Sequence, residues 1–256
     1  MVCIGMSDSN LPDVVSREEW LAARKELLIR EKEAVRAKDA LNTRRRLLPM
    51  VRIEKEYRFE GPEGQIGLLD LFGGDRQLVV QHFMFHPDWE DGCGSCTAAV
   101  DELSDGLLRH LQARSTVYAV VARAPFAKLE KYRAKRGWQI PLYSSFGSDF
   151  NYDFHVTLDA SVAPIQFNYR GPDELSDAGM DWMLNTEDQP MDQPGMSCFI
   201  RQGDAVFHTY STFGRGTEQV GGAYGILDMT ALGRQEDWEE PRGRSQIPSA
   251  AIPDFS

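Results

Sequence analysis

The chain predicts an α/β fold, a mixed central sheet flanked by helices, with a long N-terminal helix and an insertion. Three observations carry this reading. Leu78–Phe85 and Thr116–Ala122 are apolar runs of strand length, too long and too continuous for one exposed face. Each is followed by a segment with helical spacing, 93–111 and then 125–136. The order strand, loop, helix, strand, helix is that of parallel strands joined by crossovers. Later, Met196–Arg201 and Ala205–Ser211 flank Gln202-Gly203-Asp204 and read as an antiparallel hairpin.

Taken in order, residues 1–15 form a polar, proline-containing start. Ser16-Arg17-Glu18-Glu19 has the form of a capping box, in which the Ser oxygen takes an orphan amide and Glu19 reaches back. The helix that follows extends to about Arg46. Along it Trp20, Leu27, Ala34, Leu41 and Leu48 recur every seven residues, with Leu28 and Val35 widening the stripe. Such a stripe serves a homodimer, a partner, or docking on the chain's own domain, and the pattern leaves these open. Leu48-Pro49-Met50 ends the helix. Val51, Ile53, Tyr57 and Phe59 read as strand, followed by a turn at Gly61-Pro62-Glu63-Gly64, and Gly73-Gly74-Asp75 turns the chain into the first buried strand. Pro125 falls at the first turn of its helix. The stretch from about 137 to 195, rich in aromatics, Asp, Asn, Gly and Pro, reads as an insertion with a helix near 172–184. A last helix is expected over 220–232. The organisation is therefore an extension (1–49), a main domain (50–236) and a polar tail (237–256).

Composition narrows the function. A net charge of −11 argues against a protein that grips phosphate backbones, so no nucleic-acid partner is expected. The first residues lack a basic start and an apolar run, and no stretch approaches the ~20 apolar residues of a spanning helix. A cytoplasmic protein with no membrane partner is expected. Four cysteines in 256 residues are too few for a disulfide scaffold.

The pair Cys93-Gly94-Ser95-Cys96 is the sharpest chemical signal. It lies between a buried strand and a helix, where amides at the helix N-terminus stabilise the thiolate of the first cysteine. The two-residue spacer lets Cys96 reach back and resolve a mixed disulfide at Cys93. Two other readings stand beside this one. The pair supplies two zinc ligands, with His82 and His86 upstream, or it is an inert buried pair. Asp88, Glu90, Asp91, Asp101 and Glu102 crowd the motif and would raise a thiol pKa, whereas the helix terminus and a protonated His86 would lower it.

Several separate motifs resemble the domain of unknown function 899 family. They are Val15–Arg24, Leu48-Pro49-Met50-Val51, the run from Leu69 through His82-Phe83-Met84-Phe85 to Trp89 and Cys93–Cys96, and Phe207–Gly216 with Asp228 and Gly233-Arg234. The resemblance spans residues 14–240. It implies a thioredoxin-like fold and a dithiol-disulfide oxidoreductase, with Cys93 the nucleophile and Cys96 the resolving thiol. His208 to Ser211 is a family hallmark without a role. Compared with thioredoxins, Trp89 stands four residues before the first cysteine, not directly before it. Pro194 falls slightly early for the proline that faces the dithiol, leaving Met196 or Ser197 in that place.

The expected function is thus thiol-disulfide exchange, with a thiol or disulfide substrate, an external reductant, and no bound cofactor or metal. A thioredoxin-like peroxidase using the same thiols, or a non-catalytic scaffold of the same fold, are the alternatives. Trp89, His208, Tyr210 and Arg215 are candidate substrate-binding residues, the last two as groups that orient a small anion. His208, Tyr210 and Ser211 are expected on alternating strand positions, where they serve either substrate or buried carbonyls. Cys198 is a third thiol if the late strand runs beside the dithiol, and otherwise a small core residue. His82 reads as a hydrogen-bonded core histidine. The glycines at 214, 216, 221 and 222 match no nucleotide fingerprint, and Cys3 carries no role.

Overall fold

The computed structural model describes residues 12–220 together with Gly222 and Met229. It divides into two compact units, Met1–Pro49 with Gly222–Ser256, and Met50–Gly221. In the first, α1 spans Arg17–Arg46 and opens with the expected capping box: Ser16 Oγ accepts from the Glu19 amide at 3.2 Å, and Glu19 Oε2 accepts from the Ser16 amide at 2.9 Å. Arg24–Glu31 and Arg30–Glu33 pair along the helix, and none of its residues is buried. The expected last helix and the role of Cys3 lie outside the described residues, apart from Gly222 and Met229.

The second unit is built on one eight-stranded sheet. Its strands are β1 (Val51–Arg52), β2 (Arg58–Gly61), β3 (Gly64–Gly67), β4 (Gln77–His82), β5 (Thr116–Ala122), β6 (Leu142–Ser144), β9 (Gly195–Gln202) and β10 (Ala205–Phe213). In space they run β1-β10-β9-β4-β5-β6-β2-β3. β4, β5 and β6 are parallel, while β9 is antiparallel to β4 and β10 to β9. The helices are α2 (Gly94–Asp101), α3 (Asp105–Gln112), α4 (Phe126–Arg136), α5 (Phe150–Asp153) and α6 (Pro172–Asp177). A strand–helix–strand unit in the middle with an antiparallel hairpin beside its first strand is a thioredoxin-like arrangement. A separate ribbon pairs β7 (Thr157–Leu158) with β8 (Met191–Asp192).

Alternation along the central strands makes two cores. Leu78, Val80, Ala119, Val121 and Phe199 face Phe72, Phe150 and Phe154. Val120 and Ala122 face the other way, onto Val100, Leu129, Tyr132, Trp138 and Cys96. The sheet is therefore buried on both sides, which is why its middle strands read as mostly apolar runs, with Gln81 and His82 as buried polar exceptions.

Three expectations need adjusting. The 93–111 segment is two helices, because Ser104 caps a fresh one by accepting from the Leu107 amide at 3.2 Å. Pro125 is the N-cap of α4, one residue outside the helix. The 137–195 stretch is not wholly an insertion: Leu142, fully buried, pairs with Val120 and brings β6 into the sheet. The turns hold as read. Gly73, Gly74 and Gly203 all have positive φ, which only glycine adopts without strain.

Candidate active site

The dithiol sits at one edge of the sheet, where β4 and β5 end and β9 begins. Past His82 the Phe83 amide still donates to the Val121 carbonyl at 2.8 Å, so the chain leaves the sheet only after Met84. It loops through residues 85–92 and returns, and the Cys93 amide donates to the Met84 carbonyl at 2.9 Å. The return is tight. A Cβ at Gly92 would land in the Phe83 ring. Lys128 clamps the loop from α4, its Nζ donating to the carbonyls of Pro87 and Trp89 at 2.6 and 2.7 Å.

Cys93 is the N-cap of α2. Its carbonyl accepts from the Thr97 amide and from Thr97 Oγ1, both at 2.9 Å, and Thr97 Oγ1 lies 2.8 Å from the Tyr132 hydroxyl. The cap residue is thereby fixed from two sides. Cys93 is half-buried and Cys96 is buried. The Cys96 thiol donates to Cys93 Sγ, and this bond is the largest cause holding the Cys93 thiol down at about 5 against an ordinary 9.0. Burial pushes the other way. The Ser95 hydroxyl, 3.2 Å from Cys93 Sγ, and the Cys96 and Ser95 amides add to the lowering. The same hydrogen bond, with burial and the charge on Cys93, raises the Cys96 thiol well above its usual value, while the Met84 amide opposes that rise. One thiolate and one protonated donor is the division of labour that disulfide exchange needs.

The surrounding carboxylates do not set this balance. Asp91 is held 3.0 Å from Lys135, Asp101 is held 2.7 Å from Arg136, and Asp88 is 90% exposed. His86 Nδ1 accepts from the Asp88 amide at 3.1 Å, a contact within its own loop.

The other candidates are scattered by the sheet register. Trp89 is 42% exposed at this same edge, its ring 6.0 Å from that of His86. Arg215 follows β10 at the same edge, with Nε 3.4 Å from Glu218. His208 is placed elsewhere. Gly195, opposite His82, pairs with Phe213, while His208 pairs with Phe199, four residues along β9, roughly 13 Å of strand at ~3.3 Å per residue. Nor do His208, Tyr210 and Ser211 alternate. A bulge between His208 and Tyr210 sets His208 opposite Phe199 and Ser211 opposite Ser197, so these two share a face, while Tyr210 stands opposite Cys198 on the other. Cys198 pairs with Val79, five residues short of Met84.

His208 and Ser211 instead close a buried chain: His82 Nε2 to Ser197 Oγ at 2.8 Å, Ser197 Oγ to Ser211 Oγ at 2.7 Å, and Ser211 Oγ to His208 Nε2 at 2.7 Å. Burial, with a smaller push from His208, lowers His82 to about 3, so it is neutral at working pH. Its ring packs beside those of Phe150 and Phe154, 5.6 and 6.2 Å away, on the sheet face opposite the one that packs on Cys96. Among the described residues no group of three or more His, Cys, Asp or Glu side chains converges as a metal site. Pro194 directly precedes β9, its carbonyl accepting from the Gly214 amide at 3.2 Å, and the cis peptide lies at Gln189–Pro190.

Four residues near the dithiol escaped the sequence reading: Thr97, Lys128, Arg123 and Asp192. Thr97 stands four residues after Cys93, and its helical spacing was the one available signal. Lys128 reads as an ordinary surface lysine. Arg123 and Asp192 meet only because the β7–β8 ribbon folds back over the end of β5, with Arg123 Nε 2.9 Å from Asp192 Oδ1.

A family model described as "Bacterial protein of unknown function (DUF899)" matches residues 9–249. No curated protein matches the chain. Among solved structures, the chain is similar to a mutant of PrxQ from Xylella fastidiosa, at 13% identity and TM-score 0.40, covering 64% of this chain and 84% of that one. It is similar to the bacterioferritin comigratory protein of Xanthomonas campestris at 15% identity and TM-score 0.37, covering 64% and 87%. A yeast mitochondrial 1-Cys peroxiredoxin gives 18% identity and TM-score 0.36, covering 68% and 73%. No described helix is long and apolar enough to cross a membrane.

Proposed function

Starting from the fact that this chain belongs to the DUF899 family, whose description names no reaction, we propose that it is a thiol-disulfide oxidoreductase acting through Cys93 and Cys96. The observation that carries the reading is the asymmetry of the pair: a half-buried Cys93 held as thiolate by three kinds of donor, beside a buried, protonated Cys96. An inert buried pair has no use for that asymmetry.

The Cys93 thiolate attacks one sulfur of a substrate disulfide, forming a mixed disulfide and expelling the other sulfur as thiolate. Cys96 loses its proton and attacks Cys93 Sγ, closing the Cys93–Cys96 disulfide and releasing the second substrate thiol. Two electrons pass to the substrate, and an external thiol reductant returns them. Trp89 and Arg215, at the dithiol edge, are the proposed substrate-facing residues. His208 and Tyr210 keep a structural role in the β9–β10 hairpin.

The test is a dithiol-dependent disulfide-reduction assay on wild type, Cys93→Ser and Cys96→Ser. Loss of turnover with Cys93→Ser, and a trapped mixed disulfide with Cys96→Ser, are expected. Turnover that survives Cys93→Ser would overturn the reading.

A further inference from the structure

Three side-chain hydrogen bonds cross the sheet from β10 to β4, and the exchange chemistry uses none of them. His82 on β4, Ser197 on β9, and Ser211 and His208 on β10 are joined in line at 2.8, 2.7 and 2.7 Å. Ser197 is fully buried, His82 and Ser211 nearly so, and His208 is half-buried. Phe154, just after α5, packs against both imidazoles. The bulge between His208 and Tyr210 brings His208 and Ser211 to one face, so the line exists only because β10 departs from regular pairing.

Counting protons sets the direction of this line. Three links need three protons. Each serine hydroxyl carries one, so the third sits on Nε2 of one histidine, and Nε2 of the other is bare to accept. A neutral imidazole has a single N–H, so the two histidines are held as opposite tautomers. His82 Nδ1 is buried with no hydrogen-bond partner among the described residues. A proton there would be an orphan donor among aromatic rings, and an orphan buried N–H is rarer than a bare acceptor. His82 therefore carries its proton on Nε2 and is the donor end. It donates to Ser197, Ser197 to Ser211, and Ser211 to Nε2 of His208. His208 keeps its own proton on Nδ1, with the Tyr210 carbonyl beside the ring as an acceptor. A proton arriving from solvent then finds one bare nitrogen on the half-buried ring, and that nitrogen is the acceptor end of the line. With it filled, four protons compete for three links, and one link must open.

We propose that this line is a proton-sensitive latch across β10, β9 and β4, closed while His208 is neutral and opened at one link when His208 takes up a proton. It involves neither cysteine and stands apart from the dithiol reading. Its inner end, His82, lies two residues before Met84, whose carbonyl accepts from the Cys93 amide. The groups facing His208 come from several elements. Its own strand supplies Ser211 and the Tyr210 carbonyl, and β9 supplies Phe199. Across from it β1 sets Val51, while Arg52 pairs with Phe207 and falls on the other face. Around Phe154, Asp153 bonds Lys55 and Tyr57, and His155 is coupled to Asp153. Tyr169 donates its hydroxyl proton to the Ser211 carbonyl at 3.0 Å. His82 is the titratable group whose charge is coupled to that of His208.

Nuclear magnetic resonance of the full chain, isotope-labelled at the histidine nitrogens, reads both halves of the proposal. At neutral pH His82 should be the Nε2–H tautomer and His208 the Nδ1–H tautomer. As pH falls, His208 should titrate below the ordinary histidine range, because burial opposes its charge. Over that titration the β9 and β10 amides near Ser197 and Ser211 should lose protection from hydrogen exchange, after correction for the pH dependence of the exchange chemistry. The expected loss is about two- to tenfold, the worth of one hydrogen bond, while amides of β6, which carries no part of the line, hold theirs. His208→Gln keeps an acceptor for Ser211 and cannot take up a proton, so its protection should stay level across the same range. Ser211→Ala removes the middle of the line and should show lowered protection at every pH. Should that variant fail to fold, His208→Gln still decides. Like tautomers on the two histidines, unchanged protection while His208 titrates, or the same loss in His208→Gln overturns the proposal.

Discussion

Removing the Cys96 thiol should return Cys93 most of the way to an ordinary cysteine, and the pH profile of alkylation reads this directly. In the folded protein Cys93 is held at about 5 against an ordinary 9.0, with the Cys96 donor the largest cause. At pH 7 a thiol of pKa 5 is thiolate in roughly 99 of 100 molecules, and one of pKa 9 in roughly 1 of 100. Cys96→Ala removes that donor but leaves the Ser95 hydroxyl and the two amides, so its titration should fall between these limits. The assay is the rate of iodoacetamide labelling of Cys93, followed by peptide mass across the pH range from 4 to 10 (a range chosen to bracket both ordinary and lowered thiols). Wild type should reach its plateau by about pH 6, because the thiolate is the reacting species. The variant should still be climbing there, at less than about a tenth of its own plateau. Superimposed profiles would refute the claim that Cys96 activates Cys93.

Further outcomes follow from other contacts. Ser95→Ala should raise the Cys93 midpoint by less than Cys96→Ala does, since the Ser95 hydroxyl ranks below the Cys96 thiol among its donors; the same alkylation profile checks this. His82 is lowered to about 3 by burial, so the unfolded chain, near 6.5, binds a proton that the folded one refuses. Stability should therefore fall as pH drops from about 6.5 toward 3, and His82→Phe should blunt that slope in urea melts. Cys93 acts with the same sign over a higher pH window. Its lowered thiol stabilises the reduced fold above pH 9 and loses that contribution as pH falls through about 5, so Cys93→Ser should flatten the rise in stability across this window. Gly92→Ala drives a methyl into the Phe83 ring and should cost about 1–3 kcal/mol in chemical denaturation.

The sheet was legible in the sequence because both of its faces are covered. Leu78–Val80 and Val117–Ala122 had to be apolar, and the dithiol between a buried strand and a helix marks its own place. What could not be read are contacts made by long-range register. The bulge at His208/Tyr210 breaks the alternation that places side chains on one face or the other, and no residue type in Phe207–Ser211 announces it. Which residue of β4 Cys198 opposes is likewise fixed only by register. The Arg123–Asp192 pair joins residues 69 apart, one of them in the stretch where aromatic and turn residues hide any period. The acidic loop was misleading for a local reason: Lys135 and Arg136 on α4 neutralise the carboxylates that sequence proximity suggests would act on the thiol.

The central claim is that Cys93 and Cys96 form a working redox pair, and a thiol redox titration tests it most directly. The protein is equilibrated in graded dithiothreitol buffers, remaining thiols are alkylated, and the peptides carrying both cysteines are weighed. A reversible Cys93–Cys96 disulfide is expected. Because a thiol held at about 5 stabilises the reduced form, its potential should lie above thioredoxin's roughly −270 mV. Two thiols that stay fully alkylatable across every buffer would contradict the account.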